Sequence, residues 1–531
     1  MGRSGQCQLG LEHGHRVTRP PGEVELAGDP EEERAWQVRA ARAAAERYAG
    51  MQAAAHWRRA LDLWPADAAE VGNPPVRRHE VVAGIAGQLD LAGRPRDAVP
   101  VLESELALPG PPHLYTVAER ADLLRQLARL HSSQFVTGSL GLELVDQAID
   151  LYGTLPPTPG LATALIWKGT ELEWHGRRAE AAEVLAEAAR TAAATGDRPT
   201  ERSALAQWAW QLGASGDLRS VVEIERVVHR FGEDDNPLRN IWVAIRHTDI
   251  LLMACRPAVD VSRAAEPAIR QATGWALNTS GADVLRSNVA QAWRRAGMTS
   301  RAMEVARSGA LVEEPIGSSY AQVDIAILEV LLGHRDAARR LIEGSDVGGQ
   351  AEIDPFVLEA HLQHAIWMGD PASALELAVR VLGSRHDEVA PGLTGEILAL
   401  TAAAAADTST RTPLAARHAA RRVLEDLRAA MHHDPFAPDA VLADRAALPQ
   451  WNAERQRLLG HDTVEVWVEA ASTWRNLDRP HDTAYCEWRA AQAALRDGHG
   501  TVAARLLRQA AARAREHVPL AQAITATAGA T

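Results

Sequence analysis

The stretch "WHGRRAEAAEVLAEAAR", residues 174–190, decides the fold, because it joins the end of one helix to the whole of another. Gly176 ends the first helix, since glycine adopts a left-handed conformation without a Cβ clash. The apolar residues that follow recur at the i, i+3, i+4, i+7 spacing of a helix stripe: Ala181, Val184, Leu185 and Ala188. One such hairpin cannot bury its stripe alone, so neighbouring hairpins are expected to stack against it.

Similar wording recurs along the chain, as "LAGRPRDAVPVLESEL" at 91–106, "LLGHRDAARRLIEG" at 331–344 and "WMGDPASALELAVRVL" at 367–382. The predicted breaks between helices fall near Gly50, Gly93, Ser133 to Gly138, Gly176, Gly216, Arg256–Pro257, Gly297, Gly333, Gly369 and Asp407 to Thr412. Their spacing of roughly 36–43 residues suits two helices and two turns per repeat. No strand-like alternation of Val or Ile with polar residues interrupts this pattern. We therefore predict an all-α protein, an α-solenoid of antiparallel helix pairs of the tetratricopeptide type.

Composition and charge narrow the classes of function. The net charge of −13 lacks the basic footprint of nucleic-acid binding, so we expect no direct contact of this chain with nucleic acid. Three scattered cysteines (Cys7, Cys255 and Cys486) indicate free thiols and a reducing compartment. The N-terminus has no signal-peptide pattern, and the longest apolar run, 397–406, is too short to cross a bilayer. We expect a cytoplasmic protein without a membrane contact.

The pattern also predicts domain boundaries. Residues 1–30 lack a helical period and are expected to be a flexible segment, and residues 31–433 are expected to form the helical-repeat solenoid. A proline-containing connector is predicted at 434–460, followed by C-terminal helical repeats at 461–520 and a tail at 521–531. Within the C-terminal repeats the predicted helices are 463–476, 480–496 and 500–516.

The C-terminal block resembles the helical-repeat region of large ATP-binding LuxR-type transcriptional regulators. The features that carry this resemblance are Trp467, Trp474, Arg479–Pro480, Ala484–Tyr485, Arg489, the turn at Gly498 and Pro519–Leu520. The N-terminal stretch "AWQVRAARAAAERYAGMQAAAHWRRALDLW" is similar to the repeats that follow the nucleotide-binding part of those proteins. Together the two matches loosely cover most of 31–520.

Two hallmarks of that family have no counterpart in the sequence. A P-loop requires the pattern G-x-x-x-x-G-K-[ST], and the chain's one lysine, Lys168, stands in "LIWKGTE". The helix-turn-helix of the family would begin about where this sequence ends, at "AQAITATAGAT". The resemblance therefore implies the middle segment of such a regulator, which senses a signal and relays it. An ATPase or DNA-binding module would then be supplied by another chain, or the gene is truncated.

A column of polar residues is the candidate binding site. Counting nine residues back from each break places Gln207, His247, Asn288 and Asp324 at equivalent positions of successive first helices. We predict that this column lines the concave face, where a protein or small-molecule effector binds. Alternatively, these residues hydrogen-bond to neighbouring helices, or the register is off by one. Alanine at Asn288 and Asp324 should weaken partner binding without unfolding the array, whereas a large loss of thermal stability would mark both as structural.

Other patterns favour ordinary structural roles. His361 and His364 lie one helical turn apart but lack further ligands for a zinc ion, "HHD" at 432–434 is typical of a solvated loop, and "EDDN" at 233–236 is typical of an acidic turn. Tryptophans that precede breaks are expected to wedge hairpins together: Trp174, Trp293, Trp367 and Trp474. No nucleophile elbow, zinc-protease motif or dinucleotide loop is present, so we predict no catalytic residues, no metal and no cofactor.

The sequence thus favours a non-enzymatic helical-repeat binding and sensor module, the signal-sensing and relay part of a LuxR-type regulator. Two alternatives stay open. The chain could be a freestanding protein–protein interaction scaffold or adaptor, or an all-α enzyme whose site is assembled across helices.

Overall fold

The structure is a computed structural model that describes residues 29–108, 114–132, 139–274, 280–308, 320–344, 355–384, 391–409, 412–431 and 433–530. The chain divides into two compact units at the Leu140/Gly141 boundary. This boundary lies inside the single 31–433 solenoid that the sequence predicts. Residues 1–28, which make up most of the predicted flexible segment, lie outside the described residues.

Unit 1 consists of antiparallel helices and one short hairpin. Its helices are α1 (Pro30–Ala45), α2 (Gly50–Asp62), α3 (Arg78–Leu91), α4 (Pro95–Ala107) and α5 (Val117–Ser132). Strands β1 (Glu70–Val71) and β2 (Val76–Arg77) pair antiparallel, with Glu70 opposite Arg77. Each helix packs against the next one along the chain, as expected for stacked hairpins.

Unit 2 is an α-solenoid of antiparallel helix pairs, which confirms the predicted fold class. Its first helices are α7 (Pro159–Trp174), α9 (Arg198–Ala214), α11 (Pro237–Met253), α13 (Ser280–Arg295), α15 (Tyr320–Leu331), α17 (Pro355–Met368) and α19 (Thr394–Ser409). Its second helices are α8 (Arg178–Thr195), α10 (Arg219–Phe231), α12 (Ala258–Gly274), α14 (Thr299–Arg307), α16 (Arg335–Gly344), α18 (Pro371–Ser384) and α20 (Leu414–Ala430). The unit begins with α6 (Leu140–Gly153).

Six further helices complete unit 2. They are α21 (Leu442–Arg445), α22 (Leu448–Leu459), α23 (Val464–Asn476), α24 (Pro480–Arg496), α25 (Gly500–Arg513) and α26 (Val518–Gly529). The helices expected at 463–476 and 480–496 are therefore confirmed. Residues 434–460, expected to be a connector, contain α22. Pro449 does not prevent this helix, because it stands in the first turn, where its missing N–H costs no hydrogen bond. The expected tail at 521–531 belongs largely to α26. Pro519 is tolerated in that helix because it also stands in a first turn.

Glycines in the left-handed conformation end the first helices where the sequence predicts breaks. Gly176, Gly297 and Gly333 have φ angles of 69°, 75° and 78°. At the break predicted at Arg256–Pro257, Cys255 takes this conformation instead, with φ 51°. Asp407 stands inside α19, so the break expected from Asp407 to Thr412 falls later than its first residue.

The predicted tryptophan wedges divide into two groups. Trp293 and Trp474 are buried in the packed core of unit 2, as expected for residues that hold hairpins together. Trp174, the last residue of α7, is 46% exposed, and Trp367 is half-buried. The described helices include none that is long and apolar enough to cross a membrane.

Four contacts show that unit 2 packs back on itself. The turn at Gly216 contacts the backbone of Asp439 and Ala440, and Met253 lies in one apolar cluster with Val441 and Ala443. In the same way the turn at Gly297 contacts Pro480, and the turn at Gly333 contacts Val518.

Each of these contacts joins a helix pair to a segment of the chain that lies about five pairs farther along. Pair α9/α10 meets the segment after α20, α11/α12 meets α21, α13/α14 meets α24 and α15/α16 meets α26. Solenoids coil by a small rotation per repeat. These contacts bring the later part of unit 2, from the end of α20 to α26, back onto pairs α9/α10 to α15/α16, and we call these two parts the successive turns of the unit 2 coil.

Candidate functional site

The first helices of unit 2 carry a row of polar residues, which we call the inner ladder. Its members are Glu173, Gln207, Arg246, Asn288, Asp324, Glu359 and Glu396, one from each first helix from α7 to α19. Six of them are buried or nearly so, and Asn288 is half-buried. Because buried polar groups cost free energy unless they are hydrogen-bonded or paired, each member needs a partner on a neighbouring helix.

The N-terminal part of the inner ladder is joined by hydrogen bonds. Gln207 Nε2 donates to Glu173 Oε2 at 2.5 Å, and Arg246 Nε donates to Gln207 Oε1 at 2.7 Å. Asn288 Nδ2 donates to Thr248 Oγ1 at 2.9 Å and to Asp249 Oδ1 at 2.7 Å. Helices α7, α9, α11 and α13 are therefore tied together through side chains.

The structure places the four predicted site residues as follows. Gln207, Asn288 and Asp324 belong to the inner ladder, at equivalent positions of α9, α13 and α15. On α11 the equivalent residue is Arg246, and His247 stands one position beyond it, half-buried, where burial lowers the pKa of its imidazole to about 4. The contacts of Gln207 and Asn288 are with neighbouring helices, and contact of any of the four with a partner remains a prediction.

The shift on α11 has a local cause. Each ladder position lies nine residues before the left-handed residue of the following turn. Gln207, Asn288 and Asp324 precede Gly216, Gly297 and Gly333 in this way. On α11 the left-handed residue is Cys255 rather than Arg256, so the same count gives Arg246. A non-glycine residue in this conformation gives no clear signal in the sequence, which is why the count from Arg256 missed Arg246.

Asp324 is the member of the inner ladder with the least favourable surroundings. Burial raises the pKa of its carboxyl to about 7, and the Ser287 hydroxyl and the Arg294 charge offset only part of this effect. The folded state therefore holds the Asp324 proton more tightly than the unfolded chain does. As a consequence, stability is lost as the pH rises from 3.8 to about 7.

Asp324→Asn is expected to increase the free energy of unfolding at about pH 8 by about 2 kcal/mol, because an amide carries no charge at any pH. Urea unfolding of both proteins at about pH 8 and again near pH 4 measures this, and the advantage should shrink at the lower pH. Asp426→Asn, at an exposed position, is the matched control and should leave stability unchanged. A variant less stable than the wild type at the higher pH would show that the Asp324 charge is needed by Arg294.

The C-terminal part of the inner ladder is held by ion pairs. Arg294 donates to both carboxylate oxygens of Glu359, at 2.7 and 3.1 Å, and all of these groups are buried. Glu396 lies between Arg295, at 2.8 Å, and Arg479, at 3.1 Å. Burial by itself would raise the pKa of Glu396, but Arg295 and Arg479 together lower it to about 2. Glu396 is therefore ionised and links α13 to the start of α24.

Aromatic residues reinforce the contact of α24 with the first helices. The ring centroid of Trp367 on α17 lies 6.2 Å from that of Tyr485, 6.4 Å from that of Trp488 and 4.6 Å from that of His517. The Ser300 backbone N–H at the start of α14 also donates to Glu516 Oε2 at 2.7 Å. These contacts place α24 and the N-terminal residue of α26 against α13, α14 and α17.

A polar cavity of about 70 Å³ remains where these helices meet, and we call it the junction cavity. Its walls include three arginines, two histidines and two carboxylates: Arg294, Arg295, Arg479, His481, His517, Glu396 and Asp482. A cavity of this size holds a few water molecules or one small polar ligand. None of these residues was singled out as a site by the sequence, because their contacts join parts of the chain that lie far apart.

A larger cleft of about 420 Å³ lies between α20, α22 and α23. Arg421 and Arg455 line it, and both donate to Glu425 Oε1. Its walls thus combine solvent-facing residues with a pair of arginines that already share a partner. The junction cavity is smaller but contains the buried polar groups, so we treat it as the candidate site.

The motifs that the sequence assigned to structural roles have local explanations. Within "EDDN", Asn236 Oδ1 accepts the Leu238 N–H and caps α11, and Asp234 Oδ1 accepts the Asn236 N–H. His361 and His364 stand on α17, and the residues that the structure describes contain no cluster of three or more metal-ligating side chains. Of "HHD", His432 lies outside the described residues, and Asp434 pairs with Arg428.

No protein-family model and no curated protein matches the chain. Solved structures that resemble it are helical-repeat proteins. The alignment with the APC/C hetero-tetramer Cut9–Hcn1 covers 93% of this chain and 96% of the matched chain, with 12% identity and a TM-score of 0.32. The alignment with yeast Tom70 covers 96% of this chain and 89% of Tom70, with 15% identity and a TM-score of 0.30. A third similar structure is the pentatricopeptide repeat protein PPR10 in complex with an 18-nt psaJ RNA element. The alignment covers 93% of this chain and 75% of PPR10, with 14% identity and a TM-score of 0.25. At these values the likeness carries no argument about what this chain binds.

Proposed function

We propose that the chain is a non-enzymatic helical-repeat binding and sensor module. The observation that carries this proposal is the contact between successive turns of unit 2 through the glycine turns, reinforced by Glu396 of α19, which pairs with both Arg295 and Arg479. A partner or effector that binds better when the turns are apart, or better when they are together, would shift the coil between two states. The helical coil itself would relay the signal.

The narrower proposal, that the module is the middle segment of a LuxR-type ATP-binding regulator, rests on the sequence resemblance, and the residues that carry it have structural roles here. Arg479 pairs with Glu396 and lies over the Trp474 ring, with its guanidinium carbon 4.9 Å from the ring centroid. Tyr485 donates to Glu454, and Arg489 pairs with Asp407 at 3.0 Å. The residues that carry the resemblance are thus the ones that fix the C-terminal helices to α19 and α22. In this role the module acts in the cytoplasm on an ATPase or DNA-binding module.

A freestanding protein-interaction scaffold is the second candidate. The net charge of −13 and the stacked hairpins suit a protein partner equally well in both cases. The two candidates differ in what they bind. A regulator binds an ATPase or a helix-turn-helix protein, whereas a scaffold binds neither.

A cross-link between turns tests the proposal. Ser300→Cys and Glu516→Cys together place two thiols at the contact between α14 and the turn that precedes α26. The same double variant, with and without a short thiol-reactive cross-linker, is used to capture partners from cells of the source organism. We expect specific partners to bind one form and not the other, with an ATPase or helix-turn-helix protein among them. Identical capture by both forms would contradict a relay through the turns.

A further inference from the structure

The junction cavity contains hydrogen-bond donors without acceptors. Among the described residues, the Nε atoms of Arg294 and Arg295 and Nε2 of His481 are buried and have no hydrogen-bond partner. Arg294 donates to Glu359 through both of its Nη atoms, and Arg295 uses Nη2 for Glu396 and the Gly392 carbonyl. An arginine Nε–H can only donate, so each of these sites lacks an acceptor.

The two histidines add uncharged polar groups to the cavity wall. The Nδ1 atom of His517 accepts the Leu520 N–H at 3.4 Å, so a neutral His517 carries its proton on Nε2. Burial lowers the pKa of His481 and of His517, which keeps both rings uncharged at neutral pH. Both side chains are more than nine-tenths buried. Neither ring therefore offers a negative charge that could satisfy the arginines.

The charges that line the cavity itself are mostly positive, although Glu359 beside the cavity pairs with Arg294. Three guanidinium groups face it, and the carboxylates among the described lining residues are Glu396 and Asp482. The side chain of Asp482 is 32% exposed, so water screens its charge more than that of the buried Glu396. An unmet buried donor costs about 1–3 kcal/mol, and more when the group is charged, which favours an occupant that accepts hydrogen bonds.

We propose that the junction cavity binds a small oxyanion, a short carboxylate or inorganic phosphate, through the Nε–H groups of Arg294 and Arg295 and the His481 ring. The volume of about 70 Å³ limits the occupant to a few heavy atoms. The oxyanion contacts α13 on one side and the first turn of α24 on the other. It thereby adds a bridge between successive turns of the coil.

This site deepens the proposed function and rests on it for its consequence. A ligand that binds only when α13 and α24 are together stabilises that arrangement by a free energy that grows with the logarithm of its concentration relative to its dissociation constant. The oxyanion is then the effector that holds the turns of unit 2 in contact. The loss of the oxyanion releases α24.

Calorimetric titration of the full chain with sodium acetate and with sodium phosphate tests the site, with sodium chloride at equal ionic strength as the control. We expect at least one oxyanion to bind with a stoichiometry of one and chloride not to bind. Amide hydrogen exchange of residues 480–496 should slow in the presence of the oxyanion that binds. Whichever of the two ions binds shows whether the site prefers a carboxylate or a phosphate.

Two variants separate the site from general destabilisation. His481→Leu removes one unpartnered group, and Ala403→Leu fills the cavity from α19 without removing any charge. Both should weaken oxyanion binding by at least about tenfold. Hydrogen exchange of residues 198–231, remote from the cavity in sequence, checks that both variants fold. Wild-type affinity in both variants, or no heat and no protection with either oxyanion, would overturn the site.

The outcome of this titration is independent of the cross-linking experiment. If neither oxyanion binds but the Ser300–Glu516 cross-link still changes partner capture, this inference fails and the proposed function stands. If an oxyanion binds but the cross-link leaves partner capture unchanged, the site stands and the relay fails.

Discussion

Arg479→Met is expected to lower the free energy of unfolding of the full chain by about 3–5 kcal/mol, the cost of removing one partner from a buried ion pair. Arg479 donates to both carboxylate oxygens of Glu396 at 3.1 Å and to Asp482 at 2.9 Å. Methionine retains part of the packing against Trp474 but leaves Glu396 with Arg295 as its remaining arginine partner. Denaturant unfolding of the two proteins measures the difference.

The pH dependence of Arg479→Met provides a second readout. The pKa of Glu396 is lowered from 4.5 to about 2 in the folded protein, so its contribution is complete above 4.5 and is lost as the pH falls toward about 2. The variant should lose less stability than the wild type over this range. Arg219→Ala, which removes an 80% exposed arginine, is the control and should change neither the free energy of unfolding nor its pH dependence. Equal stability of Arg479→Met and wild type would show that Arg479 does not hold α24 against α19.

Gly216→Ala is expected to disrupt the contact between α9/α10 and the segment after α20. A Cβ atom at Gly216 would lie 2.1 Å from the Asp439 carbonyl oxygen, which is far closer than atoms approach in proteins. Gly216 also has φ 76°, so alanine is strained there in addition. We expect a total loss of about 3 kcal/mol, of which about 1–2 kcal/mol is backbone strain.

Gly196→Ala is the matched control for this prediction. Gly196 has φ 73°, nearly the same as Gly216, but a Cβ atom there would meet open space. Alanine at Gly196 should therefore cost only the backbone strain of about 1–2 kcal/mol. Hydrogen exchange of residues 434–447 should accelerate in Gly216→Ala and stay unchanged in Gly196→Ala. Equal losses of stability in the two variants would mean that the segment after α20 does not lie on the Gly216 turn.

Local features of the fold could be predicted from the sequence. Glycine turns at Gly176, Gly297 and Gly333 mark the ends of first helices, because few other residues adopt a left-handed conformation without strain. The bounds of α24 follow from Pro480 at its start and the glycine turn at Gly498. The helix α22 within 434–460 is not evident from the sequence, because proline commonly breaks a helix, whereas Pro449 stands in a first turn and is tolerated there.

The inner ladder could be predicted from the sequence in part, and the junction cavity could not. Gln207, Asn288 and Asp324 follow from the regular distance between ladder position and turn, and His247 was one position off because Cys255 forms the turn of α11. The junction cavity had no signal in the sequence. Arg295, Glu396 and Arg479 come from three helices separated by long stretches of chain, and no local spacing relates them.

The central claim is that successive turns of unit 2 lie in contact, and cross-linking of Ser300→Cys with Glu516→Cys tests it most directly. The Ser300 N–H donates to Glu516 Oε2 at 2.7 Å, so the two thiols should react rapidly with a short bifunctional reagent within one folded chain. Each single variant is the control and should give no peptide pair that joins residues 300 and 516. Mass spectrometry of a peptide pair that joins residues 300 and 516 is the predicted result. Absence of that pair, while both single thiols react freely with the reagent, would contradict the account.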